Sequence, residues 1–119
     1  MPTQLSASDE AFMARVMDYV ETHIGDADAN IGDMATATAT SRSGLNRKMK
    51  SLVGLTPADF LREARIKRAA HLLRTTDDAV ADIAFACGFT DPKYFGKCFK
   101  ATTAMSPTEY RNAPSDSHS

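Results

Sequence analysis

Ser43, Asn46, Arg47 and Lys50 stand at i, i+3, i+4 and i+7, a spacing that lines side chains along one face of a helix. Together they offer a hydroxyl, an amide, a planar guanidinium and an ammonium, and Arg42 adds a second guanidinium at the start of the same segment. Such groups match the edges of nucleobases. A guanidinium grips O6 and N7 of guanine bidentately, and an amide does the same for N6 and N7 of adenine. Lys and Ser suit phosphate oxygens, which position a protein on a duplex without reading its sequence. Leu45, Met49 and Leu52 fall two positions further on, about 200° around at 100° per residue, so the opposite face is apolar and fit for burial.

Fifty residues later the plan recurs in different chemistry. Lys93, Lys97 and Lys100 make the outward stripe, and Phe95 and Phe99 the inward one. Tyr94 lies at the edge, where its ring suits sugar, phosphate or a thymine methyl group. Gly96 lets the backbone come close to a groove, at a cost of ~1 kcal/mol in helix propensity. With three cations and no amide, this face is expected to lean more on phosphates than the first. Charged helices also carry Lys and Arg merely to stay solvated. The same two-faced offset appearing twice, each time after a short helix and a turn, argues against that explanation.

Apolar residues recur at helical spacing almost throughout, and strand signals are nearly absent, so an all-α fold of about seven helices is expected. Phe12, Val16, Val20 and Ile24 predict a first helix from Asp9 to Ile24, stopped by Gly25. Asn30 is a capping residue for a second, Ile31 to Ala37, followed by a turn in Thr36 to Thr40. A third begins at Ser41 and closes at Gly54. Thr56-Pro57-Ala58-Asp59 starts a fourth that runs to Arg74, with Asp59 placed to reach back to the cap. A fifth covers Val80 to Cys87, a sixth starts at Asp91-Pro92, and a seventh at Ser106-Pro107-Thr108-Glu109.

These elements form an internal repeat. Leu45, Arg47, Met49 and Lys50 match Phe95, Lys97, Phe99 and Lys100 at an offset of 50, as Thr56-Pro57 matches Ser106-Pro107. Asp33-Met34-Ala35 matches Asp82-Ile83-Ala84 at 49, so the two turns differ by one residue. A duplicated helix-turn-helix is the natural reading. It divides the chain into an N-terminal extension (1–8), a first subdomain (9–55), a linker helix (56–74), a second subdomain (75–112) and a disordered tail (113–119).

The net charge of −1 conceals an asymmetry: residues 1–40 sum to −6, residues 41–74 to +7. No apolar run approaches the ~20 residues of a membrane span, and Met1 to Ser8 lacks the features of a secretory signal. Cys87 and Cys98 form no disulfide framework and fall on inward faces, so a reducing cytoplasm is expected. His23, His71 and His118 have no metal-ligand spacing. No nucleophile, base and orienting acid fall in a recognisable pattern and no phosphate-binding loop is present, so no enzyme, metal or cofactor is expected. Arg65 and Arg68 are read as structural residues of the fourth helix, through Glu63 or the helix itself, in preference to DNA contacts.

Several stretches resemble the DNA-binding domain of AraC/XylS-family transcription regulators. They are Ser41-Arg42-Ser43-Gly44-Leu45, Gly54-Leu55-Thr56-Pro57-Ala58-Asp59-Phe60, Arg65-Ile66-Lys67-Arg68-Ala69-Ala70, Cys87-Gly88-Phe89-Thr90-Asp91-Pro92-Lys93-Tyr94-Phe95 and Met105-Ser106-Pro107-Thr108-Glu109-Tyr110-Arg111. Within that family, Arg42 to Lys50 and Tyr94 to Lys100 look most like output domains of hybrid two-component regulators. The resemblance implies two recognition helices, about 42–53 and 92–101, in successive major grooves of double-stranded DNA. It assigns base contacts to Ser43, Asn46 and Arg47, and to Lys93, Gly96 and Lys97. It further implies RNA polymerase as a partner, with signal input and any dimerisation in regions absent from this chain. Ala39 departs from the family's usual Gly in the first turn, and Gly96-Lys97 from its usual Ser-Arg or Thr-Arg. A connector of about eighteen residues is ~27 Å long at 1.5 Å per residue, against ~34 Å between successive major grooves on one side of a duplex. An asymmetric site of about two turns is therefore expected for one monomer. The residues alone leave two alternatives open: an interaction module whose basic stripe takes an acidic protein, and a nucleoid-type binder without sequence preference.

Overall fold

A computed structural model describes residues 7–113. Residues 1–6 and 114–119 lie outside the described residues, and with them most of the expected N-terminal extension, the expected disordered tail beyond Ala113, and His118. Among the described residues the chain is all helix: α1 (Ala7–His23), α2 (Ile31–Ala37), α3 (Arg42–Val53), α4 (Pro57–Thr75), α5 (Val80–Ala86), α6 (Pro92–Thr103) and α7 (Pro107–Asn112). None of these helices is long and apolar enough to cross a membrane.

Local chemistry sets the helix boundaries. Asn30 Oδ1 accepts from the Asp33 N–H at 2.9 Å and Ser41 Oγ from the Gly44 N–H at 3.0 Å, satisfying donors that have no partner inside the helix. Ser106 and Glu109 close a full capping box: the Glu109 N–H donates to Ser106 Oγ at 3.1 Å and the Ser106 N–H to Glu109 Oε1 at 2.8 Å. Thr56 Oγ1 accepts from the Asp59 N–H at 3.1 Å. Asp59 itself directs its carboxylate to the Arg62 guanidinium and the Thr56 hydroxyl. Its side chain is one methylene shorter than that of Glu109.

The described residues divide into two compact units, one of residues up to 24 with 28–62, the other of 25–27 with residues from 63 onward. In the first, α1 packs on α2 and α2 on α3. Phe12, Val16, Val20, Met34, Ala35, Leu45 and Met49 are its buried apolar residues, with Tyr19 and Leu61. Thr38 is buried too, but its hydroxyl is satisfied at the Met34 and Ala35 carbonyls. In the second unit, α5 packs on α6 and α6 on α7. Its core joins Ile66, Ala69 and Leu73 of α4 to Ile83, Ala84, Cys87, Phe89, Phe95 and Phe99.

Where the first unit backs its third helix with Leu45 and Met49, the second uses rings. Phe89 meets Phe95 edge-on at 5.1 Å, Phe95 lies 5.6 Å from Phe99, and Phe99 meets Tyr110 edge-on at 5.2 Å. Burying one such ring contributes about 1.5–3 kcal/mol, and the edge-to-face geometry adds to it. Arg74 lies over the Tyr110 ring at 4.2 Å. Arg111 donates to the Leu73 and Thr76 carbonyls at 3.0 and 3.1 Å, closing the C-terminal end of α4.

Both turns between the paired helices are the same hydrogen-bonded device. In the first, the Thr40 N–H donates to the Ala35 carbonyl and the Ala39 N–H to that of Thr36. In the second, Phe89 donates to Ala84 and Gly88 to Phe85. This six-to-one and five-to-two pair is a Schellman motif, which requires a left-handed residue at its centre. Ala39 (φ +59°) and Gly88 (φ +87°) supply it.

Candidate nucleic-acid interface

On α3, Arg42, Ser43, Asn46, Arg47 and Lys50 are all exposed, while Leu45 and Met49 are fully buried. The stripe drawn from sequence spacing is thus one solvent-facing ridge whose back is anchored in its own unit. Among the described residues Asn46 and Arg47 make no hydrogen bond or ion pair within the chain, so their donors and acceptors are available to a ligand. The helix carries four cations (Arg42, Arg47, Lys48, Lys50) and no acid. Lys48 was not singled out by spacing. It sits on the flank, its ammonium 4.5 Å from the centre of the Phe12 ring, and only its place beside Arg47 could have drawn notice.

On α6, Lys93, Tyr94, Lys97 and Lys100 are exposed and Phe95 and Phe99 are fully buried. Asp91 Oδ1 caps the helix by accepting from the Lys93 N–H at 3.0 Å, and Pro92 occupies the first turn. A Cβ at Gly96 would meet nothing within 4 Å, so this position is a bare stretch of outward backbone. It corresponds, fifty residues on, to Asn46. Tyr94 corresponds to Gly44.

The two ridges share an electrostatic detail. The Asp59 carboxyl is held below the ordinary carboxylate range, first by its bond from Arg62 and then by that from Thr56, with smaller contributions from the charges of Arg62 and Lys50. The Glu109 carboxyl is lowered by the Ser106 backbone and side chain, with a smaller contribution from Lys100. In each unit, then, the last lysine of the exposed ridge lies in the field of an acid in the first turn of the next helix. Arg65, read from sequence as structural, donates to the Asp26 carbonyl at 2.8 Å. Cys87 is buried and its thiol is pushed up by desolvation, which keeps it protonated and unreactive. Cys98 is half-buried against the same core.

Residues 34–113 match the family model described as a helix-turn-helix domain. The chain belongs to the AraC-type helix-turn-helix family. It is 32% identical over 112 residues to histidine kinase P4 of Formosa agariphila, covering 94% of this chain and 8% of the kinase. It is 35% identical over 104 residues to the transcriptional activator RhaS of Enterobacter sp. strain 638, covering 87% of this chain and 37% of the activator. The DNA-binding domain of the global transcriptional factor AdpA, solved in complex with a target DNA, superposes with a TM-score of 0.77 at 29% identity, over 83% of this chain and 88% of that one. The chain therefore spans little more than a third of the length of these curated relatives, or much less.

Proposed function

We propose that this chain of the AraC-type family is the DNA-reading output of a larger bacterial transcription regulator. It binds double-stranded DNA sequence-specifically, with α3 and α6 each presenting their exposed ridge to a major groove. The observation that carries this reading is the state of Asn46 and Arg47. They are an amide and a guanidinium, side by side on an exposed ridge, anchored from behind by Leu45 and Met49 and unpaired among the described residues. Folding leaves both available for bidentate contacts to bases. The DNA complex of the similar AdpA domain and the transcriptional role named for RhaS support it.

Base contacts fall to Ser43, Asn46 and Arg47 on α3 and to Lys93 and Lys97 on α6. Arg42, Lys50 and Lys100 hold phosphates, and the backbone at Gly96 approaches the groove. The match to a histidine kinase supports placement in a hybrid two-component regulator, in the bacterial cytoplasm. An output of this kind acts on RNA polymerase, with the signal received by other parts of the protein. This role is binding and involves no catalysis.

Selection of bound duplexes from a random pool tests the reading. The expected result is one asymmetric consensus, held against excess random DNA, with the preference at one base position relaxed in Arg47→Ala at a cost of ~1–3 kcal/mol. Equal affinity for every duplex would identify a nucleoid-type binder. Salt-sensitive binding to an acidic protein but to no duplex would identify an interaction module.

A further inference from the structure

The two ridges do not carry the same reading chemistry. At the position of Asn46, α6 has the bare backbone of Gly96. At the position of Arg47 it has Lys97, which donates to guanine as a point charge and lacks the planar fork. What α6 has instead, where α3 has Gly44, is an aromatic ring. Tyr94 is 50% exposed. It is also braced: its ring centre lies 6.2 Å from that of buried Phe89, at 54°, and Phe89 in turn packs edge-on against buried Phe95. Phe89 holds the place that Thr40 holds in the first Schellman turn, so this aromatic brace has no counterpart in the first unit.

Tyr94 is the third residue of α6, in the helix's first turn. Helix-turn-helix units direct this end of the recognition helix at base edges. A flat apolar surface there has one distinctive partner in the major groove, the C5-methyl group of thymine.

Resting on the DNA-reading function above, we propose that the second unit discriminates bases through apolar contact between the Tyr94 ring and a pyrimidine C5-methyl group, beside the contacts of Lys93 and Lys97, while Lys100 takes a phosphate. The first unit reads by hydrogen bonds alone, and the second adds a methyl contact to those of its lysines.

The test replaces the thymines of a selected duplex, one at a time, by deoxyuridine, which pairs identically but lacks the methyl group. Affinities are measured for the unaltered chain, Tyr94→Phe and Tyr94→Ala. Loss of the contacted methyl weakens the unaltered chain roughly fourfold, the equivalent of burying one such group at about 0.8 kcal/mol. Tyr94→Phe keeps that sensitivity because the ring remains. Tyr94→Ala binds the thymine and deoxyuridine duplexes alike, and 5-methylcytosine is tolerated at that position better than cytosine only when the ring is present. Deoxyuridine effects that are the same with and without the ring, or absent at every thymine, overturn the proposal. So does Tyr94→Phe weakening all duplexes evenly, which would assign the phenol oxygen to a phosphate. Failure to select any duplex over random DNA is a separate result and sinks the underlying reading.

Discussion

Ala39 and Gly88 hold the same left-handed position at the centre of two Schellman turns, at φ +59° and +87°. An L-residue with a Cβ is strained there by roughly 1–2 kcal/mol relative to glycine. The relation is reversed at the far ends of α3 and α6, where Gly54 sits at φ +75° and Ala104 at φ +67°. Each repeat thus contains one glycine and one strained alanine, in opposite order. Ala39 and Ala104 are both exposed, so neither methyl group is buried in a core. Ala39→Gly and Ala104→Gly are each expected to stabilise the fold by about 0.5–1 kcal/mol, after the added freedom of glycine in the unfolded chain is deducted. Urea unfolding midpoints measure this, and an unchanged or lowered midpoint for both variants would show that the left-handed alanines carry no strain.

Gly96 is the opposite case. It stands in the middle of α6 with open space where a Cβ would go. Gly96→Ala should therefore raise stability by about 0.5–1 kcal/mol, the difference in helix propensity. If the backbone of α6 approaches a groove at this point, the same methyl group lowers affinity for duplex DNA. Thermal unfolding and binding isotherms are expected to move in opposite directions.

The acid limb of stability should be set partly by Asp59 and Glu109. Both carboxyls are lowered from their ordinary values, Asp59 chiefly by Arg62 and Glu109 chiefly by the Ser106 backbone N–H. A depressed folded pKa means the stabilisation is fully present above the unfolded value and disappears as pH falls through the folded one. Stability is thus expected to be flat with respect to these groups near neutrality and to fall below the usual carboxylate range. In Asp59→Asn and Glu109→Gln, which keep an acceptor oxygen and lose the charge, the slope of midpoint against pH in that acidic window should be shallower. An unaltered slope would mean that other carboxylates set it.

Much of this fold is legible in sequence because helix caps are local. Asn30, Ser41 and the Ser106/Glu109 box each act within three residues, and the boundaries of α2, α3 and α7 follow from them. The exposed ridges are legible for the same reason, since a period of 3.6 residues fixes which side chains share a face. The hidden parts depend on distance or on strain. Nothing near Arg111 announces that it closes the end of α4 through carbonyls 35 and 38 residues away. Alanine's intrinsic preference gives no hint of a left-handed Ala39. That conformation belongs to the Schellman turn that links buried Met34, Ala35 and Thr38 to buried Leu45. The brace of Phe89 behind Tyr94 is likewise a product of packing, and spacing alone left the ring's partner open among sugar, phosphate and methyl.

Phosphate-holding and base-reading residues should separate cleanly under salt. Lys50 and Lys100 are exposed point charges at the last positive position of each ridge, each in the field of an acid in the following helix's first turn. Lysine suits phosphate and carries no planar fork. Each phosphate neutralised releases counterions and steepens the dependence of log affinity on log salt by about 0.9. Lys50→Ala and Lys100→Ala are therefore expected to lower that slope by roughly one each and to weaken binding alike for every duplex. Asn46→Ala should leave the slope unchanged, because its amide bears no charge, and should flatten the preference at one adenine. A slope that falls for Asn46→Ala, or a preference that shifts for Lys50→Ala, would reverse the roles given to the two residues.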